Sequence, residues 1–254
     1  MNIRLLIAAL LALLIASCST LSESTSYNYK NHAINVISDS ISDEQFMTIL
    51  EPYREIVESK MAEVIAYSKE PLISYRPESP LSNFLSDLIL EFAVDYCKDN
   101  QLDIIPQISL FNHGGIRASI PQGPIRIQNA YELMPFENEM VLVLLTGQQL
   151  IDLADYITIR GGEGVSGITF GMNKNKAENI KVQGLAVDVN RKYWLIASDY
   201  IVNGGDGMKV LTWAEKRIET GYKMREVIID YLKGKSAAGE DIQAKTDGRI
   251  YHVE

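Results

Sequence analysis

One stretch decides how this chain folds: residues 107–117 read QISLFNHGGIR. Its first part belongs to an apolar run that predicts a buried strand. The strand leads into paired glycines, Gly114 and Gly115, which let backbone amides approach a ligand closely or adopt positive φ. Arg117, two positions on, can supply a forked set of donors to phosphate or carboxylate oxygens. A tight turn with a solvated arginine is the alternative interpretation.

Two further loops depart from ordinary packing chemistry. Residues 134–138 read MPFEN and place Phe136 beside a proline just before an apolar run. Taken alone, this phenylalanine fits a core position at the start of a strand. Residues 198–207 read SDYIVNGGDG, with Tyr200, Gly205 and Asp206 after another apolar run. Glycines around one aspartate predict a tightly turned loop that holds a carboxylate in place, and an exposed turn with a solvated aspartate is the alternative.

The segments between these loops predict helices and strands intermingled in one domain. Apolar residues at helical spacing predict helices over residues 42–65, 80–98, 146–159 and 222–232. Short apolar runs predict strands over residues 72–75, 104–111, 140–145, 193–197 and 249–253. We expect the stripes of the first two helices to face the core and Cys97 to be a buried thiol. The strands are spaced too irregularly for repeated βαβ units, so we predict a mixed α/β (α+β) fold.

Composition supports a globular chain. Of the 254 residues, 46% are hydrophobic and 22% are charged, which excludes disordered, collagen-like and disulfide-stapled classes. The formal net charge of −9 argues against nucleic acid as the main partner. The 3 histidines limit how large a metal site this chain could build alone.

The first residues have the pattern of an export signal. Residues 5–16 read LLIAALLALLIA and cover about 18 Å as a helix, less than a bilayer core of about 30 Å. The following Ile15-Ala16-Ser17-Cys18 resembles a bacterial lipobox, so we predict a signal peptide over residues 1–17 and lipidation of Cys18. An ordinary signal peptide with an incidental cysteine is the alternative. Residues 18–40, rich in Ser, Thr and Asn, are predicted to form a flexible tether to a domain over residues 41–254.

Taken together and in this order, the three loops resemble the C-terminal domain of the 5'-nucleotidase family, which includes UDP-sugar hydrolases. The family pattern contains an Asn-x-Gly-Gly-Ile-Arg loop, then a Pro-Phe-x-Asn segment, then a loop that ends Asn-Gly-Gly-Asp-Gly. Residues 76–83, RPESPLSN, are similar to the family's Arg-Glu-Ser-x-Leu-Gly-Asn helix entry. The resemblance extends over about residues 42–253 and implies the mixed sheets and packed helices of that domain.

The resemblance also implies that this domain binds the nucleotide. Phe136 and Tyr200 would sandwich the base, Asp206 would accept hydrogen bonds from ribose hydroxyls, and Arg117 and Arg76 would reach ribose or phosphate. Tyr200 stands where the family usually has phenylalanine, and Arg76 lies one residue further from its helix than is common. The full substrate-binding set that the resemblance implies is Arg76, Asn112, Gly114, Gly115, Arg117, Phe136, Tyr200, Gly205 and Asp206.

Family members that hydrolyse phosphate esters use an N-terminal metallophosphoesterase domain with two metal ions. Its Asp-x-His and Gly-His-x-His signatures are absent from this sequence. We therefore predict no catalytic residues, metal ligands or cofactors in this chain, with divalent metals expected only in a partner. His32 and His252 are expected to be solvated, and His113 to line the pocket.

Three hypotheses of function remain open at this point. The chain is the specificity half of a split nucleotide phosphohydrolase completed by a separate metallophosphoesterase, a stand-alone nucleoside- or nucleotide-binding lipoprotein, or a non-catalytic interaction domain. Its expected location is the bacterial envelope, where Ser19 after the lipidated cysteine favours the outer membrane facing the periplasm. The expected partners are a nucleotide or nucleoside, a metallophosphoesterase subunit and the membrane, without nucleic acid.

Overall fold

The computed structural model of the protein describes residues 44–253. Contacts divide the chain into two units, Met1–Thr48 and Ile49–Glu254, and the sheets described below belong to the second. The predicted signal peptide, Cys18 and the tether lie outside the described residues. Within residues 44–253, no helix is both long enough and apolar enough to cross a membrane.

The helices fall where apolar residues recur at helical spacing. They are α1 (Glu44–Met61), α2 (Pro80–Asp99), α3 (Ile127–Leu133), α4 (Gly147–Ile159), α5 (Asp199–Val202) and α6 (Met224–Ala237). Ser79 begins α2 with a capping box, in which its hydroxyl accepts from the Ser82 N–H and the Ser82 hydroxyl accepts from the Ser79 N–H. Short 3₁₀ turns follow at His113–Gly115, Gly205–Gly207 and Lys209–Trp213.

The strands of residues 44–253 form three sheets. They are β1 (Val64–Ser68), β2 (Pro106–Phe111), β3 (Gly123–Arg126), β4 (Glu139–Thr146), β5 (Gly164–Ser166), β6 (Ile168–Asn173), β7 (Lys176–Val182), β8 (Leu185–Ala186), β9 (Lys192–Ser198), β10 (Lys216–Lys223) and β11 (Ile250–His252). The strand orders are β10-β4-β9-β2-β5, β11-β6-β7-β8 and β1-β3. In the five-stranded sheet only β2 and β9 run parallel, and in the four-stranded sheet only β11 and β6 do. The predicted mixed α/β fold is confirmed.

The five-stranded sheet is buried on both faces, which explains why β4 is a continuous apolar run. Successive residues of a strand point to opposite faces. Met140 and Leu142 accordingly pack into a core with α2 and α6, whereas Val141 and Val143 pack into a second core with α4. A hydrophobic core therefore packs against each face of the sheet and holds its strands, together with the loops that follow them, in place.

Most predicted elements lie within a few residues of the observed ones, and the prediction for Cys97 is confirmed. Its side chain is 1% exposed, and burial raises the pKa of the thiol.

The prediction for the first helix is wrong in two respects. Its last two residues, Val64 and Ile65, begin β1, because antiparallel pairing with β3 carries Ile65 into the core. The apolar stripe of α1 does not face the core: Ile49, Tyr53 and Ile56 are 64%, 68% and 68% exposed. Helical periodicity in the sequence identifies the apolar stripe of α1, but it does not show whether another element packs against that stripe.

The predicted strand over residues 72–75 is also wrong. Only Leu72 pairs, in a single antiparallel bridge with Ile120. Residues 73–75 instead form the irregular approach to α2, where the Ile73 carbonyl accepts a hydrogen bond from the Leu81 N–H at 3.3 Å rather than from a neighbouring strand.

Candidate functional site

The three glycine-rich or aromatic loops meet at one edge of the five-stranded sheet. Because β2 and β9 are parallel, the residues after Phe111 and after Ser198 leave the sheet at the same edge. Strand β4 is antiparallel to β9 and pairs Met140 with Ser198, so the segment of Phe136 enters at this edge too. Strand β5 pairs Gly164 with Phe111, which adds Glu163 to the group.

Asp206 lies at the centre of this edge. Its backbone has φ of 53°, in the left-handed region that side-chain-bearing residues rarely adopt. Its carbonyl accepts hydrogen bonds from the Tyr156 hydroxyl at 3.0 Å and from Arg160 Nη1 at 2.9 Å. Its carboxylate accepts from Asn112 Nδ2 at 2.9 Å and lies 3.3 Å from Arg160 Nη2. The predicted carboxylate-holding loop therefore exists, and several elements hold it.

Tyr200 is pinned to the same loop. Its hydroxyl donates to Asp206 Oδ1 at 3.1 Å and accepts from the Asp206 backbone N–H at 3.2 Å. Gly205 is required here, because a Cβ atom at that position would lie 2.5 Å from the Tyr200 carbonyl oxygen. The ring is still 46% exposed. A phenylalanine could not form either hydrogen bond, so the tyrosine of this chain adds a fixed ring orientation.

The first loop closes against Asp206 from the β2 side. Asn112 is buried, and a Cβ atom on Gly114 would lie 3.4 Å from Asp206 Oδ2. A Cβ atom on Gly115 would lie 3.0 Å from Asn112 Oδ1. The contact at Gly114 is an ordinary one, whereas the tighter contact at Gly115 shows that the absence of a side chain there lets the backbone pack closely on Asn112.

Phe136 is an exposed ring on a tightly held backbone. It is 40% exposed, so the simpler interpretation of a core phenylalanine is wrong. Buried Arg225 donates to the carbonyls of Met134 and Phe136 at 3.2 and 3.3 Å and also pairs with Glu137. Arg117 connects this ring with the first loop, because its guanidinium carbon lies 6.0 Å from the Phe136 centroid and its Nη1 lies 3.4 Å from Gly114 O.

Beneath the loops, one buried carboxylate joins three segments. The side chain of Glu163 is 0% exposed. Its Oε1 accepts from Arg160 Nε at 2.7 Å and from Arg76 Nη2 at 3.2 Å, and its Oε2 accepts from the His113 backbone N–H. Arg76 Nη1 also donates to the carbonyls of Arg160 and Gly162. Glu163 therefore ties the approach to α2 and the first loop to the turn after α4.

His113 lies at the edge of this network. Its Nδ1 is 3.2 Å from the Ser74 hydroxyl. Burial, and next the positive charge of Arg76, hold the pKa of the His113 ring below its ordinary value. The ring is thus favoured in its neutral form.

Of the predicted site residues, those of the three loops are brought together at this edge, and Arg76 lies below them in the Glu163 network. Sequence reasoning missed Tyr156, Arg160, Glu163 and Arg225. A signal existed for two of them, because residues 160–164 read RGGEG, a glycine-rich segment with both charges. Within residues 44–253, no three His, Cys, Asp or Glu side chains are grouped so that they could hold a metal ion.

Fold and site together define a mixed α/β domain with a charged, aromatic-flanked cluster of loops at one sheet edge. The family model described as "5'-nucleotidase, C-terminal domain" matches residues 64–213. The chain belongs to this family.

Its relatives are larger proteins. The chain is 27% identical over 225 residues to a trifunctional nucleotide phosphoesterase of Bacillus subtilis and covers 15% of it. It is 22% identical over 214 residues to a 5'-nucleotidase of Vibrio cholerae and covers 38% of it. The crystal structure of a 5'-nucleotidase precursor from Thermus thermophilus matches 85% of this chain with a TM-score of 0.69 and 30% identity, and the match covers 44% of that protein. The chain therefore spans less than half the length of each of these relatives.

Proposed function

We propose that this chain recognises a nucleotide or nucleoside and is the specificity half of a split nucleotide phosphohydrolase. The observation that carries the proposal is the arrangement around Asp206, where a held carboxylate shares its loop with the exposed ring of Tyr200 and shares its sheet edge with the exposed ring of Phe136. The names of the relatives, which refer to nucleotidases and a nucleotide phosphoesterase, agree with this class of ligand.

The chemistry of the cluster suits a nucleoside. An exposed ring can stack on a base for about 1 to 3 kcal/mol per contact, and Phe136 and Tyr200 are both half exposed. Oδ1 of Asp206 accepts one side-chain hydrogen bond, from Tyr200, whereas Oδ2 is approached by both Asn112 and Arg160. A carboxylate oxygen has room for about two donors, so Oδ1 can accept a further bond from a ribose hydroxyl.

The two arginines of the predicted site, Arg76 and Arg117, differ in how many of their N–H groups are free to bind a ligand. Arg76 already donates to two carbonyls and to Glu163, so few of its N–H groups are left for a ligand. Arg117 is exposed, and within residues 44–253 its guanidinium makes one hydrogen bond, to the Gly114 carbonyl in the first loop. We assign Arg117 to ribose or phosphate and Arg76 to holding the loops.

The proposed partner supplies the chemistry. A separately encoded metallophosphoesterase chain, with its divalent metal ions, would attack the phosphate while this chain holds the base and sugar. We further propose that Cys18 carries lipid and anchors the protein to the envelope, on the periplasmic side of the outer membrane. Cys18→Ser should move the protein from the membrane fraction to the soluble fraction, and retention in the membrane fraction would refute the anchor.

Two measurements test recognition and the split separately. Calorimetry with adenosine and AMP on this chain alone should show binding that Phe136→Ala and Asp206→Ala weaken, whereas Trp213→Ala, which removes an exposed ring elsewhere, leaves it unchanged. Absence of binding, or equal loss in the control variant, would refute recognition.

Phosphate release from AMP tests the split. A single-domain metallophosphoesterase chain from the same organism should become active, or at least gain nucleotide specificity, when the two chains are mixed, and Phe136→Ala should reduce that gain. If the isolated chain binds nucleosides but no mixture gains activity, recognition stands and the split is wrong.

A further inference from the structure

A second cavity lies between α2 and α6, and it shares no lining residue with the candidate site. Its volume is about 300 Å³. Phe92 and Tyr96, one helical turn apart on α2, form one wall, and Tyr231 of α6 forms another. Tyr222, at the end of β10, also lines the cavity, as do Asn100 and Val227. We call this cavity the aromatic notch.

Three rings of the notch contact one another without stacking in parallel. The centroids of Phe92 and Tyr222 are 5.3 Å apart with 62° between the ring planes, and those of Tyr96 and Tyr222 are 6.0 Å apart with 80° between them. Tyr222 is 49% exposed. The third pair, Phe92 and Tyr96, is tilted by 32° with centroids 5.9 Å apart. None of the three pairs is a parallel stack, so each ring keeps a face on which its neighbours do not stack, and such a face attracts a cation.

The polar part of the lining carries one sign of charge. Glu91, Asp95, Asp99 and Asp230 line the notch, and no lysine or arginine lines it. Lys235 Nζ lies 5.4 Å from the centroid of the Tyr231 ring, so the rings left for a ligand are those of Phe92, Tyr96 and Tyr222. Glu91 accepts a hydrogen bond from the Tyr231 hydroxyl at 3.2 Å. In the described part of the chain, the other three carboxylates have no ion pair within 4.0 Å. A solvated acidic helix face would explain the carboxylates but not the rings, and an apolar core stripe would explain the rings but not the carboxylates. A ligand that contacts both kinds of side chain explains the combination.

We propose that the aromatic notch binds a small organic ammonium ion. The ring faces attract such a cation, and the carboxylates add a long-range attraction that salt weakens. Inorganic divalent ions fit less well, because within residues 44–253 no three carboxylates are grouped as metal ligands. An organic ammonium ion spreads its charge over apolar substituents, so it can contact the rings and the carboxylates of this lining at the same time.

Choline and its neutral isostere 3,3-dimethylbutan-1-ol provide the test, because they share shape and differ in charge. Calorimetry should show choline binding at least about tenfold tighter than the isostere, in keeping with several cation–aromatic contacts. Tyr222→Leu and Asp95→Asn should each weaken choline binding about two- to fivefold. Asp152→Asn, which removes an exposed carboxylate on α4, is the matched control and should bind as wild type.

The proposal fails if the two probes bind equally, which would make the notch a merely apolar cavity, or if choline does not bind. It also fails if the Tyr222 and Asp95 variants, shown by circular dichroism to be folded, bind choline like the Asp152 control. Asp95 is exposed and Tyr222 is half exposed, so either variant alone keeps the test valid if the other is unstable.

Discussion

Glu163→Gln removes one charge from the network that holds the loops and leaves the shape of the side chain nearly unchanged. Glu163 accepts from Arg76, Arg160 and the His113 backbone N–H. Glutamine has one acceptor oxygen and an NH₂ group, so whichever way the amide turns, one of these donors faces another donor. The two guanidinium groups also lose their common counterion.

The size of the effect follows from burial. Removing one partner of a fully buried ion pair costs about 3 to 5 kcal/mol. Glu163 is fully buried, but the side chains of Arg76 and Arg160 are 30% and 24% exposed and can regain water. We therefore expect a loss of about 2 to 3 kcal/mol in the free energy of unfolding, below the fully buried figure.

Urea unfolding at neutral pH measures this loss. The midpoint should fall while the dependence on urea stays constant, which is the signature of lost stability rather than altered compactness. Glu215→Gln is the matched control, since Glu215 pairs with Lys192 at the surface, where ion pairs contribute about 0 to 1 kcal/mol. If the two variants lose the same amount, Glu163 does not hold the loops in the way described.

Three other predictions use the same unfolding assay. Because burial and Arg76 lower the pKa of His113, the unfolded chain takes up this proton at higher pH than the folded chain, so stability falls as pH drops below about 6.5. His113→Gln should remove that part of the fall, and identical pH slopes would count against it. Gly207→Ala should destabilise more than Gly221→Ala: both have positive φ, but only at Gly207 would a Cβ atom clash, 2.2 Å from the Tyr156 hydroxyl. Leu88→Ala, at a fully buried position, should cost about 2 to 5 kcal/mol, and a loss below 1 would contradict its place in the core.

Three of the five strands of the central sheet, β2, β4 and β9, were predictable because their signals are local, whereas β5 and β10 were not predicted. The apolar runs that become β2, β4 and β9 end in glycine- or proline-containing loops, and period-two packing on both faces needs no other information. The family resemblance then orders these loops around Asp206.

The parts of the fold and site that the sequence did not predict depend on contacts between residues far apart in the chain. Glu163 contacts Arg76 across a separation of 87 residues, and no local pattern distinguishes such a pair from two solvated charges. Strands β6 to β8 contain polar residues and a glycine, so their apolar pattern is weak. The stripe of α1 has the periodicity of a core helix and yet lies on the surface.

The buried thiol of Cys97 makes the protein convenient for site-specific spectroscopy. With the side chain 1% exposed and its pKa raised by burial, little reactive thiolate is available to maleimide or nitroxide reagents. A single cysteine placed on an exposed position of the third loop, in a chain with Cys18 replaced by serine, would therefore carry the label without removal of Cys97. Distances and mobility at the sheet edge could then be followed as ligand is added.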